Sequence, residues 1–328
     1  METRSDPPLN PVKRHPVRHI KVSEEQSGRR IDNFLTSELG DIPKSRIYQM
    51  LRRGEVRVDG KRIKQGYRLQ QGEEVRIPPV SIDEQASPVL TPRDYLLDMI
   101  RHTVIHEDAN LLVLNKPSGL VVHSGSGRSF GVIELLRILR PDQATSLQLV
   151  HRLDRETSGV LLISKNLRYL TALQQCFKTG TISKRYIALL KGKLSQAVVD
   201  VDQPLERSIR KSGERLTGIS PEGKAASTEF RPVRIIKDTT LVDVLIRTGR
   251  THQIRVHSAS IGHPVAGDDK YGEREFNRKI SRAGLKHLFL HAASVRLPAI
   301  EGNKPLQIKA PLPAELEDFV RLYERTAN

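Results

Sequence analysis

The stretch HRLDRETSGVLLISKN, residues 151–166, sets a cluster of charges directly against an apolar run at 160–163. A solvated surface loop would tolerate His151, Arg152, Asp154, Arg155 and Glu156. A loop that a buried strand anchors in a cleft would instead hold Asp154 at a fixed point, where a single carboxylate can act as nucleophile or base. A sheltered aspartate needs a counter-charge to stay ionised, because burial raises its pKa and a nearby cation lowers it. RTGRTHQIRVHSASIGHP, residues 247–264, supplies a candidate in Arg255, whose planar fork suits a carboxylate. The bland alternative for Arg255 is a pairing with a surface acid. Tyr186, in ISKRYIALLKG, offers a stacking face for a planar ligand, although an ordinary core aromatic would look the same.

These side chains need elements to place them. Strands are expected at 111–114, 160–163, 186–190, 228–230 and 241–246, and a helix at 167–178 between an Asn166 cap and Gly180. Near Arg255, a strand should end at Thr248-Gly249, Thr251 should cap a short helix, and Gly262 with Pro264 should close it. Regular strand–helix alternation is missing, which makes the fold class α+β, with a largely antiparallel sheet. Upstream, Ile31, Phe34, Leu35 and Leu39, then Ile47, Met50 and Leu51, repeat at helical spacing. EVRVDGKRI turns at Asp59-Gly60 as a hairpin, and GEEVRIPP reads as a further strand. Pro78, Pro79, Pro88 and Pro92 mark a linker. The expected division is a flexible tail at 1–19, a small domain at 20–80, a linker at 81–98 and a large domain at 99–320.

Charge narrows the partner. The 328 residues carry 54 Lys+Arg against 38 Asp+Glu, a net +16 that forms an electrostatic footprint for a polyanion. Between residues 44 and 68 lie Lys44, Arg46, Arg52, Arg53, Arg57, Lys61, Arg62, Lys64 and Arg68, with only Glu55 and Asp59 opposing them. A solvated face would carry more opposite charge for surface pairing, so binding is the better reading. Nucleic acid is favoured over an anionic membrane, since a membrane-binding helix wants exposed aromatics and the chain has no Trp. No apolar run approaches the roughly 18 residues of a membrane span, and the N-terminus has no apolar signal segment, so a cytoplasmic protein is expected. One cysteine, Cys176, excludes an internal disulfide and a thiolate zinc cluster.

Several patterns are decoys. GSGRSFG, at 125–131, precedes a helix-like run but has the wrong spacing for a dinucleotide loop. GISPEGKA, at 218–225, nearly fits a phosphate loop, but Ala225 stands where a magnesium-binding Ser or Thr belongs, and Pro221-Glu222-Gly223 reads better as a turn between strands. The pairs His252/His257 and His287/His291 have no carboxylate at zincin spacing, so no metal site is expected.

Taken together, LNKPSGLVVH, HRLDRETSGVLLISKN, ISKRYIALLKG, RTGRTHQIRVH and LFLHAASVRL resemble the motifs of the RluA-type pseudouridine synthases. The segment from RRIDNFL to EEVRI is similar to the small S-four-type RNA-binding domain, whose second helix and following turn face structured RNA. The resemblance covers residues 20–312 and implies a catalytic domain with a long, largely antiparallel mixed sheet and a central cleft. It also implies isomerisation of uridine to pseudouridine in large-subunit ribosomal RNA, with no cofactor, metal or other small molecule. It implies that Asp154 is the essential carboxylate, that Arg255 pairs with it and that Tyr186 stacks on the uracil. It places Arg152 beside the vacated base stack, next to His151, and gives RNA contact to Lys44, Arg46, Arg52, Arg53, Arg57, Lys61 and Arg62. Whether Asp154 attacks C1′ or removes the C2′ proton stays open. A monomer is the expectation. A non-catalytic RNA-binding assembly factor would explain the charge but not the Asp154/Arg255 pair, and an RNA methyltransferase should show a glycine loop for its donor.

Overall fold

The computed structural model describes residues 13–39, 42, 44–82, 94–124, 130–209 and 215–325. The chain divides into two units, Met1–Leu90 and Thr91–Asn328.

In the first unit, strands β1 (Lys13–His15) and β2 (Arg18–Lys21) precede helices α1 (Ile31–Glu38) and α2 (Lys44–Arg53). Strands β3 (Arg57–Val58), β4 (Lys61–Arg62), β5 (Glu74–Ile77) and β6 (Val80–Ile82) follow. Four of these strands form one sheet in the order β2-β5-β3-β4, while β1 pairs with β6. The helical spacing of Ile31, Phe34 and Leu35 in α1 and of Ile47, Met50 and Leu51 in α2 points both apolar faces inward. They meet Val58, Val75 and Ile77 of the sheet in one core. Asp59 and Gly60 turn the β3–β4 hairpin with φ of 46° and 74°, the paired positive angles that a two-residue hairpin loop requires.

The second unit begins with α3 (Asp94–Arg101), β7 (Val104–Glu107), β8 (Leu111–Lys116), α4 (Val132–Leu139), β9 (Gln148–Leu149), β10 (Ser158–Ser164) and α5 (Leu167–Thr179). It continues through β11 (Ser183–Lys191), β12 (Val199–Asp202), the hairpin β13 (Leu205–Ile209) and β14 (Arg215–Ile219), β15 (Ser227–Ile236) and β16 (Thr239–Ile246). It ends with α6 (Gln253–Ser260), α7 (Arg274–Arg282), β17 (Leu290–Leu297), β18 (Leu306–Lys309) and α8 (Ala314–Arg325). Among the described residues, ten strands make one sheet in the order β12-β15-β16-β11-β17-β10-β8-β7, with β18 on β17 and β9 on β10. Every pairing in it is antiparallel except β10 with β17.

All seven residues of β10 are buried. Successive side chains of a strand point to opposite faces. Val160 and Leu162 therefore pack with Leu170 and Leu173 of α5, while Leu161 and Ile163 pack with Leu135 and Leu136 of α4. A strand covered on both sides reads as a continuous apolar run, and such a strand is a fixed mount for the charged loop before it. Gly159 is required where β10 meets β17: its φ is 109°, and a Cβ there would lie 2.2 Å from the Ala292 carbonyl oxygen.

Three expectations need correction. The segment taken as a tail contains β1 and the first half of β2, because residue 13 pairs with residue 82 and Arg18 with Ile77. Residues 1–12 lie outside the described residues. The linker is also shorter at both ends, since β6 runs to Ile82 and α3 starts at Asp94, leaving 83–93 outside the description. The cap of α6 is His252, not Thr251, whose hydroxyl accepts a hydrogen bond from Arg207. Of the glycine pattern at 125–131, residues 125–129 also lie outside, while Pro221 and Glu222 form the turn between β14 and β15. Among the described residues, no helix is long and apolar enough to cross a membrane.

Candidate active site

Asp154 sits in the loop between β9 and β10, and several contacts lock that loop in place. The His151 Nε2 accepts the Leu162 amide of β10 at 3.1 Å, and the His151 ring stacks on Phe177 of α5. Burial pushes the His151 imidazole down to about 4, which keeps it a neutral acceptor. On the other side, the Lys116 ammonium at the end of β8 donates to the carbonyls of Pro117, Leu120 and Arg155 at 2.8, 2.8 and 2.9 Å. Three carbonyls match three ammonium protons, so Lys116 ties the 117–120 turn to the Asp154 loop. Burial lowers its pKa to about 7, against the pull of Glu156 and Asp154.

The cation facing Asp154 comes from α6. Arg255 is held by a two-bond fork to Asp268, Nε to Oδ2 at 2.7 Å and Nη2 to Oδ1 at 2.8 Å, and its Nη1 then reaches Asp154 Oδ2 at 3.5 Å. Asp268 is completely buried and Arg255 nearly so, with side-chain exposures of 0% and 11%. Burial alone would raise the Asp268 carboxyl, but the Arg255 fork and the amides of Tyr271 and Lys270 overrule it and hold the pKa below the usual range. Gly267 makes the burial possible: its φ is 75°, and a Cβ would sit 2.4 Å from the His287 carbonyl oxygen. The Arg255 guanidinium also lies 5.0 Å from the centroid of the Tyr271 ring. Arg255 is therefore shared between two carboxylates, with Asp268 holding the tighter bonds.

The turn before α6 is knotted by Gln253. Its Oε1 accepts from the Thr248 hydroxyl and the Arg250 amide at 2.7 and 2.9 Å, while its Nε2 donates to the Ser227 carbonyl and the Thr228 hydroxyl, both at 2.9 Å. Thr251 is turned toward Arg207 of β13, with which it hydrogen-bonds. The first residue before α6 is His252, whose side chain makes no capping bond.

Asp154, Tyr186, Lys184, Arg152, His252 and Arg255 line one cavity of about 300 Å³. Tyr186 and Lys184 lie two residues apart on β11 and both line this cavity. Burial first, and then the Asp154 charge, push the Tyr186 phenol well above its ordinary value, so it stays protonated. Burial pushes the Lys184 ammonium down to about 8, with Arg250 acting in the same direction. Arg152 is exposed, and its side chain makes no hydrogen bond or ion pair among the described residues. Two buried histidines outside the cavity have internal partners: His257 bonds Thr228 and the Gln203 carbonyl, and His291 bonds Ser158 and the Ala310 carbonyl. Among the described residues, no cluster of three or more metal-ligating side chains occurs.

Residues 110–260 match the family described as RNA pseudouridylate synthase, and residues 29–75 match the S4 domain. The chain is 46% identical to the ribosomal large subunit pseudouridine synthase C of Salmonella typhi, over 92% of this chain and 95% of the relative. It is also 46% identical to the protein of that name in Escherichia coli, over 90% and 93%. The chain belongs to the pseudouridine synthase family. The solved structure of human RNA pseudouridylate synthase domain containing 4 is similar to 71% of this chain and 96% of its own, with 26% identity and a TM-score of 0.58.

In the S4 unit of this pseudouridine synthase, the basic residues are not equivalent. Arg46 donates to Gln49 and to Glu55 at 3.0 and 3.2 Å, and Arg53 shares Glu55 at 3.8 Å. Arg57 donates to the Gly60 carbonyl at 3.2 Å, Arg62 bonds the Arg52 carbonyl, and Arg68 bonds the Gly28 carbonyl. The side chains of Arg52, Lys61 and Lys64 are exposed and carry no partner among the described residues. Lys44 opens α2. In the larger unit, the structure brings Asp154, Arg255, Tyr186 and Arg152 to one cavity. Sequence reasoning missed Asp268, Lys116, Lys184 and His252. Their spacing along the chain carries no signal, although Lys116, Lys184 and His252 all stand inside motifs already singled out.

Proposed function

We propose that this enzyme isomerises specific uridines of large-subunit ribosomal RNA in the cytoplasm, with Asp154 as the reacting carboxylate. The observation that carries this reading is a single carboxylate, 19% exposed, set in a cavity against Arg255 and beside a protonated tyrosine. The isomerisation breaks the bond from uracil N1 to ribose C1′ and joins C5 to C1′. The proton leaves C5 and N1 ends protonated, so no group donor or redox partner is consumed. A glycosidase usually needs two flanking carboxylates; here one suffices, attacking C1′ or removing the C2′ proton. The target nucleotide must first leave its stack, at a cost of a few kcal/mol. Arg152, exposed at the cavity rim, suits the vacated position. The Tyr186 ring offers the detached uracil a face and excludes water that would otherwise add at C1′ and leave an abasic ribose. The free cations of the S4 unit suit the phosphates of the surrounding RNA, whose contacts supply affinity rather than chemistry.

The test is Asp154→Asn, which keeps shape but removes the charge. Pseudouridine formation on an rRNA fragment should become undetectable while the fragment still binds. Retention of more than a few per cent of the activity would remove Asp154 from the mechanism.

A further inference from the structure

His252 joins β16 to α6 with φ 55° and ψ 19°. This left-handed conformation is one that a β-carbon disfavours and glycine adopts freely. Backbone strain of this kind persists only where surrounding structure over-determines it, and it clusters at functional sites. Here the ring is held. Its Nδ1 lies 2.7 Å from the Tyr271 hydroxyl, and that hydroxyl accepts the Thr217 amide of β14 at 3.0 Å. Thr217 takes one acceptor site of that oxygen, and the Tyr271 proton can then go to Nδ1; in that arrangement Nε2 carries the ring proton and sets a donor against Asp154. Nε2 faces Asp154 Oδ2 at 3.7 Å. The opposite tautomer would aim a lone pair at the carboxylate. Burial lowers the His252 pKa, with Asp154 pulling the other way, so the ring serves as a neutral donor rather than a cation.

The two neighbours of Asp154 converge on the same atom. Arg255 Nη1 also faces Oδ2, at 3.5 Å, while no side chain or amide among the described residues bonds Oδ1. We infer that His252 is a positioning residue for the isomerisation: Tyr271 sets its tautomer, and its Nε2–H holds Asp154 Oδ2 so that Oδ1 addresses the ribose. The inference rests on Asp154 being the reacting carboxylate. Contacts of this length in a free enzyme commonly tighten when substrate binds.

The experiment uses the full chain in single-turnover and steady-state assays on a uridine-containing rRNA fragment. His252→Gly removes the donor and relieves the backbone, so kcat should fall roughly 10- to 100-fold, the range for losing a hydrogen bond to a charged group, with KM nearly unchanged. His252→Gln returns an N–H near the Nε2 position and should recover much of that loss. His252→Asn fits the left-handed backbone better but stops short of Asp154, and should stay slow. A purely structural histidine would reverse that order, because backbone fit would then decide. Asn as fast as Gln, or His252→Gly at the parent rate, overturns the inference. Tyr271→Phe should lower kcat in the same direction by less, and a parent rate there would overturn the tautomer assignment. Should the glycine variant fail to fold, the Gln and Asn pair carries the test. Asp154→Asn, run beside them, separates the two readings. Activity in that variant sinks the assignment of Asp154, whereas an inactive Asp154→Asn with a fully active His252→Gly sinks only the role of His252.

Discussion

Asp268→Asn tests whether the active-site arginine is set by a residue that touches no substrate. The substitution keeps Oδ1, which accepts the Lys270 and Tyr271 amides at 2.9 and 3.0 Å as well as Arg255 Nη2. It replaces Oδ2 with an amino group that faces the Arg255 Nε–H donor across 2.7 Å, turning a bond into a donor–donor clash. Asp268 is fully buried, so the change leaves the Arg255 charge in a dry site without its tighter partner. Breaking a buried pair in this way costs about 3–5 kcal/mol. At roughly 2–4 °C per kcal/mol for a unit of this size, the Tm of the catalytic unit should fall by about 6–20 °C. Arg255 is then free to close its 3.5 Å gap onto Asp154 Oδ2, adding a tight bond to the proposed reacting group. The expected kinetic result is a lower kcat with a nearly unchanged KM for RNA, since no RNA contact is altered. Thermal unfolding and single-turnover assays read the two effects. Asp269→Asn, the exposed neighbour, is the control. A Tm within about 2 °C of the parent together with an unchanged kcat would refute the idea that Asp268 carries Arg255.

Other outcomes follow from the same structure. Gly159→Ala should prevent the β10–β17 pairing, because the added Cβ would lie 2.2 Å from a backbone oxygen, and soluble expression with native stability would contradict that geometry. Replacing Arg52, Lys61 and Lys64 together by Gln should flatten the slope of log affinity against log salt by about 2–3, at roughly 0.7–0.9 per phosphate contact, while the rate at saturating RNA stays unchanged. An unchanged slope would make those cations a solvated face. Arg140, with Lys165, holds the Glu107 carboxyl down at about 2 against the effect of burial. A pKa depressed by folding contributes stability above the unfolded value, about 4.3 for Glu, and that contribution is lost as pH falls toward 2. Glu107→Gln should therefore flatten the acid limb of the stability curve between about pH 4 and 2, and urea melts across that window would expose an unchanged limb.

The sequence by itself determined the elements that local chemistry decides. Asn166 accepts the Tyr169 amide at 2.8 Å and Gly180 closes α5 in the left-handed region, because a cap needs only residues within one turn of it. Asp59-Gly60 turns its hairpin for the same local reason. The run at 160–163 implied burial, and a buried strand fixes the loop attached to it, so Asp154 was legible as a candidate. Only the tertiary structure decided which charges that carboxylate meets. Asp268 lies in a polar turn, AGDDKYG, that reads as solvent until the His287 backbone packs over Gly267 and takes Asp268 out of water. Lys116 looks like a surface cation beside a proline. Its partner at Arg155 is 39 residues away, and such a bond exists only once β8 and β10 are paired. His252 looked like one of a harmless histidine pair, and Thr251 like the better cap. In the structure His252 stands at the cap with a left-handed backbone, and its ring meets Tyr271, 19 residues on. Spacing along a chain reports interactions of one or two turns. The electrostatic setting of Asp154 is made of contacts far outside that range: Arg255 lies 101 positions from it.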